Sequence, residues 1–145
     1  MKRVERTLRI EAPITEVFAY LSDLRNVAEW MTGVVSAEQT SEGEMGLGST
    51  ALVVRELMGQ RFEAPLTVTE FDPPQRVVIG SEVSGVKANV QLGLQPDGDA
   101  TELEFAMEIR GSMLTAFMEP MIASAAGSDI DVSLERIRER FAPPA

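Results

Sequence analysis

The chain contains no histidine and no cysteine. Without cysteine there is neither a disulfide nor a thiolate metal site. Without histidine the commonest general base at neutral pH and the commonest metal ligand are gone. Ser-His-Asp and Cys-His catalysis are therefore excluded. A metal site would need carboxylates alone, and no Asp/Asn loop of calcium-binding spacing is present, so neither metal nor cofactor is expected. Basic residues are also scarce: 13 Lys and Arg against 23 Asp and Glu leave a formal net charge of -10. Nucleic acid and anionic membrane surfaces repel such a protein, because phosphate binding runs on Lys and Arg. No apolar run approaches the ~20 residues of a membrane span. After Met1-Lys2-Arg3, the charges of Glu5, Arg6, Arg9 and Glu11 interrupt any signal core. The expected location is the cytoplasm, without membrane insertion.

What is present fits one domain spanning residues 1–145, with 44% hydrophobic and 25% charged residues, enough to bury a core. Val4 to Glu11 alternates, with Val4, Leu8 and Ile10 on one side and Arg6 breaking that side, and the period of two predicts a strand. Pro13 then opens a helical stretch to Leu21, with Ile14, Val17, Phe18 and Leu21 on one face. Ser22-Asp23 ends it, and Asp23 is placed to cap a short second helix from Leu24 to Met31, stopped by Gly33.

From Val34 to Arg110 the chain reads as an antiparallel meander. The expected strands are Val34–Thr40, Ser49–Met58, Gln60–Phe71, Arg76–Val83, Lys87–Gln95 and Thr101–Arg110. One face carries Phe62, Ala64, Leu66, Val68, Val77, Ile79, Val83, Ala88, Val90, Leu92, Leu94, Leu103, Phe105, Met107 and Ile109. The opposite face carries charged and polar residues. A sheet that is wet on one side needs a cover on the other. Met113 to Phe141 supplies it, with Met118, Ile122, Ala126, Ile130, Leu134, Ile137 and Phe141 in one helical stripe. Pro120 marks either the start of that helix or a kink. Gly127-Ser128 offers a break, since Ser128 and Asp131 are spaced like a capping box; one bent helix is expected, with two helices as the alternative.

The local residues resemble the START-like helix-grip superfamily, which includes polyketide cyclases and lipid-transport proteins. Ile10-Glu11-Ala12-Pro13-Ile14-Thr15-Glu16-Val17-Phe18 is similar to its opening strand and helix. Leu21-Ser22-Asp23 with Trp30 and Val34 resembles its link to the second strand, and Phe71-Asp72-Pro73-Pro74-Gln75-Arg76-Val77 its recurrent turn. The resemblance implies an α+β fold, a curved antiparallel sheet of about seven strands around a long C-terminal helix, with two short helices after the first strand. It also implies a cavity holding a lipid, sterol, quinone or polyketide, without implying one activity.

Candidate ligand-binding residues follow from the faces. Leu66, Ile79, Val90, Leu92, Phe62 and Phe105 would line the inner sheet. Tyr20 and Trp30, each the sole residue of its type, either pack the small helices or offer a hydroxyl and an indole donor at the cavity mouth. Met107, Met113, Met118 and Met121, with Met31 and Met58 elsewhere, are either core filling or an adaptable pocket wall. Small residues around Ala125, from Ala123 to Ser128, leave ligand volume or permit close helix packing. Among Arg55, Glu56, Glu70 and Ser81, outward solvated charge is the plain expectation, and Ser81 is the best inward candidate because Ile79 and Val83 flank it at spacing two. Asp129 and Asp131 read as helix-surface acids. No catalytic residue is assigned. A carrier of a small hydrophobic molecule leads, ahead of a polyketide cyclase or aromatase assisted by Tyr20, Ser81 or Arg55, and of a co-chaperone-like interaction module. The assembly is expected to be a monomer or homodimer.

Overall fold

A computed structural model describes residues 2–57, 59–83, 85–110 and 119–142, with side chains for 3–56, 59–83, 85–110 and 129–142. The first strand, β1 (Lys2–Ile10), leads through Pro13 into α1 (Ile14–Leu21). Pro13 has the extended backbone of a residue preceding a helix, and its carbonyl accepts the Val17 N–H at 3.1 Å. Val17, Phe18 and Leu21 form the buried face of α1. The Asp23 carboxylate accepts the Arg25 N–H at 3.0 Å and so caps the next turn. The stretch expected as one helix is a 3-10 turn, Leu24–Asn26, followed by a single α turn, α2 (Val27–Trp30). Gly33, at φ +86, then reverses the chain into the sheet, a conformation that costs other residues a Cβ clash.

The sheet has seven strands in the order β1-β7-β6-β5-β4-β3-β2, every neighbouring pair antiparallel. Its strands are β2 (Val34–Gln39), β3 (Thr50–Leu57), β4 (Gln60–Asp72), β5 (Arg76–Val83), β6 (Val86–Asp97) and β7 (Ala100–Arg110). The register sets the expected inner face in cross-strand rows. Ile79, Val90, Met107 and Val4 form one, and Val77, Leu92, Phe105 and Arg6 the next. One boundary is corrected: β6 continues past Gln95, pairing Pro96 with Thr101 and Asp97 with Ala100. Gly98, at φ +61, permits a two-residue turn and frees Pro96 and Asp97 for pairing. Irregularities between Val34 and Ser36 and between Val68 and Glu70 interrupt the ladder. Extra residues at such points bend a sheet, and Phe71 beyond the second meets Phe18 of α1 at 5.5 Å between ring centroids.

The long helix α3 (Glu119–Arg140) has 22 residues, about 33 Å of length. It holds Pro120 in its first turn and continues through Gly127, so the two-helix alternative falls. Ile130, Leu134 and Ile137 are buried against the sheet, each stabilising the packing by roughly 1.5–3 kcal/mol. Two polar clamps fix its position. Thr32 takes part in three hydrogen bonds with α3, to Ser133 Oγ from its N–H (3.0 Å), with Ser133 Oγ through its hydroxyl (2.9 Å), and to the Asp129 carbonyl (2.9 Å). Arg6 lies on the inner register of β1 and reaches Asp131 at 2.9 Å. The residue that broke the apolar pattern of β1 is thus a tie to the helix.

Candidate functional site

The inner face is unevenly covered. Toward the chain-reversal between β6 and β7, Leu92, Leu94, Leu103 and Phe105 are fully buried. Trp30 seals this end, its ring edge-on to Phe105 at 6.1 Å and 88°. The indole N–H of Trp30 is buried with no acceptor among the described residues. Toward the opposite end, where β3 turns into β4 and β5 into β6, Phe62, Ser81, Val83, Ala88 and Met107 are only half-buried.

Among the described residues, that second end carries the one charge on the inner face of β3 to β7. Arg55 alternates along β3 with Ala51 and Val53, both buried, and pairs across the sheet with Val34 and Phe62. It therefore faces inward, correcting the expectation of outward charge. Alternation with two buried neighbours is the sequence signal that identifies it. Its Nη1 donates to the Met31 sulfur at 3.9 Å, a weak acceptor, and no carboxylate of the described residues lies within 4.0 Å of it. The charge acting on it is Asp129 of α3, which is half-buried rather than a plain surface acid. Burial pushes the Arg55 pKa down and Asp129 partly restores it. Burial likewise pushes the Asp129 carboxyl up, against the pull of Arg55. In both groups desolvation outweighs mutual attraction, the mark of a pair held too far apart to compensate its burial. Arginine remains charged under these conditions.

Ser81 sits on the inner register between Ile79 and Val83, opposite Ala88. Leu66, Ile79, Val90, Leu92 and Phe105 are buried inner-face residues, and Met31, which follows α2, is buried as well. Arg55 and Met31 touch, and Phe62 is Arg55's cross-strand neighbour. Glu56 and Glu70 point outward into ion pairs with Arg61 and Arg76. Met58, Met113 and Met118 lie outside the described residues, as do the side chains of Met121, Ala125 and the whole Ala123–Ser128 stretch.

Tyr20 is elsewhere. It lines a cleft of 390 Å³ between the start of α1 and the end of α3, with Glu11, Glu16, Arg140 and Phe141. Its hydroxyl donates to Glu29 at 3.2 Å, its ring meets Phe141 edge-on at 5.4 Å, and the Arg140 guanidinium lies 5.0 Å from the ring centroid. Burial first, then the Glu29 charge, raises the phenol pKa to about 12. Arg140 follows Asp129 by 11 positions on α3, about 16 Å along the axis, so Tyr20 and Arg55 do not share a site.

The family described as polyketide cyclase/dehydrase and lipid transport matches residues 1–142. A Mycobacterium tuberculosis protein named Toxin Rv0910 is 22% identical over 143 residues, covering 98% of this chain and 99% of its own length. Among solved structures, a START superfamily protein from Mycobacterium smegmatis superposes with a TM-score of 0.79 at 14% identity, over 96% of both chains. The Thermus thermophilus protein TTHA0849 gives 0.78 at 17% identity, over 97% of both chains. At these identities the structural likeness establishes the helix-grip fold and nothing more.

Proposed function

The chain belongs to the polyketide cyclase/dehydrase and lipid-transport family, and from that membership we propose that it binds a small hydrophobic molecule between sheet and C-terminal helix, as a cytoplasmic carrier or sequestering protein. The observation that carries this reading is the uneven inner face. Phe62, Val83, Ala88 and Met107 are half-buried on the inner face of the sheet, beside the buried Ile79, Val90 and Phe105. Accessible apolar surface with few convergent polar groups is how small-molecule sites are built.

A panel of a long-chain fatty acid, a quinone, a sterol and an aromatic polyketide tests the reading by thermal shift and by fluorescence of the single tryptophan. At least one member should saturate at one equivalent, and a ligand at a hundredfold its Kd should add about 2.7 kcal/mol of stability. Ala88→Phe, which fills the half-buried inner position, should abolish binding while preserving the fold. Failure of every member to saturate sinks the carrier reading.

A second reading, a cyclase-type enzyme, is favoured by one observation. Arg55 and Asp129 set a cation and a carboxyl with raised pKa against the same interior, a pairing suited to polarising a carbonyl and moving a proton. Recovery of a polyketide-like substrate unchanged after incubation supports the carrier, whereas turnover slowed at least tenfold in Arg55→Met supports the enzyme.

A further inference from the structure

Among the described residues, Arg55 is the least compensated charge on the inner face. Its register places it on the inner face, where it is half-buried, its one described hydrogen-bond acceptor is a thioether sulfur at 3.9 Å, and no described carboxylate reaches it. The outward arginines show what ordinary pairing looks like in this chain: Arg61, Arg76 and Arg138 each reach a carboxylate within 3.1 Å. Arg55 instead faces half-buried apolar side chains, with Phe62 and Met31 beside it. A guanidinium presents its donors in a planar fork that matches an oxyanion. Nothing described fills that fork.

Resting on the cavity reading above, we propose that the ligand is an amphipath with a single carboxylate head, bound so that the carboxylate pairs with Arg55 while the apolar body lies along Phe62, Ala88 and Met107. Asp129 argues for a monoanion. It already offsets part of the Arg55 charge from a distance, so the guanidinium has attraction left for one close anionic partner, and each further negative charge on the head would add repulsion from the Asp129 carboxylate. Carboxylate pairing also relieves the uncompensated burial of Arg55, so ligand binding and removal of the arginine should both stabilise the fold. The site selects a head-group class, and the apolar face tolerates variation in the tail.

A matched fluorescent pair tests this: 11-(dansylamino)undecanoic acid and its methyl ester, titrated into wild type, Arg55→Met and Asp129→Asn. Wild type should bind the acid about tenfold or more tightly than the ester, the scale of one charge-assisted hydrogen-bonded pair. Arg55→Met should lose that preference while holding the ester as wild type does, and its unliganded Tm should equal or exceed that of wild type. Asp129→Asn should shift the other way, tightening the acid and leaving the ester unchanged. Should Arg55→Met fail to fold, the Asp129→Asn shift and the wild-type preference decide alone. Equal binding of acid and ester by wild type, or a preference that survives in Arg55→Met, overturns the inference and leaves the cavity standing. If neither probe binds, the inference is overturned, and the ligand panel above decides separately whether the cavity reading falls.

Discussion

The joint between Thr32 and α3 sets how the helix sits over the sheet, and its cost can be worked from its atoms. Thr32 donates its hydroxyl to the Asp129 carbonyl, so its own oxygen accepts from Ser133, whose Oγ in turn accepts the Thr32 N–H. Ser133 is 3% exposed. Ser133→Ala removes both bonds to Ser133 and strands the Thr32 N–H, a loss of about 2–3 kcal/mol. For a chain of this size that is a fall in Tm of roughly 6–12 °C. Thr32→Val keeps the N–H bond to Ser133 and should cost less. Because the two residues share one bond, the double mutant should fall short of the sum by about 1 kcal/mol. Urea unfolding of the four proteins gives the cycle, provided the slope with denaturant stays constant. Ser36→Ala, at an exposed position, is the control and should stay within about 0.5 kcal/mol of wild type. A Ser133→Ala loss no larger than that control, or strict additivity in the double mutant, would refute the clamp. Since Asp129 is held by the same joint, the result also bears on the charge facing Arg55.

Three further outcomes are expected. The single tyrosine should titrate near 12 in the native protein, read by near-ultraviolet absorbance after a rapid alkaline jump, and near 10 when unfolded; Glu29→Gln should lower the native midpoint and Arg140→Ala raise it. Asp23→Ala removes a helix cap and should cost about 1 kcal/mol at neutral pH. The Arg25 guanidinium holds the Asp23 pKa below its ordinary value, so this stability is complete above the unfolded pKa of about 3.9 and is lost as pH falls through the folded one; thermal melts of wild type and variant should converge only at strongly acidic pH. Gly33→Ala should lose about 1–2 kcal/mol in urea unfolding from left-handed backbone strain, because a Cβ there meets the Glu56 carbonyl at an ordinary 3.5 Å and adds no clash.

Much of the fold was legible because strands with one wet face alternate. Phe62 through Val68 and Leu103 through Ile109 carry their facing in their spacing, and the long helix declares itself through Ile130, Leu134 and Ile137. The site was less legible because its charged residues depart from the habit that charge points outward. Arg55 continues the inward series of Ala51 and Val53, so its facing was open to the same spacing argument, but its chemical type outweighed its position. Arg6 and Asp131 make sense only as partners, 125 positions apart, and no local pattern joins them. Asp129 lies near the border of the helix's buried side, where one residue of rotation separates solvent from Arg55. Tyr20 lies on the helical opening segment beside genuine core residues, and its packing against Phe141 depends on where the far end of the chain returns.

The cavity itself is tested most directly by native mass spectrometry on freshly purified protein, followed by solvent extraction of whatever is released. The account predicts a stoichiometric added mass of a few hundred daltons, matched to a site of roughly 300–1,000 Å³, and an extract containing an apolar molecule with one acidic head. A bare chain mass, from protein that also shows no thermal shift with any member of the ligand panel, would contradict it.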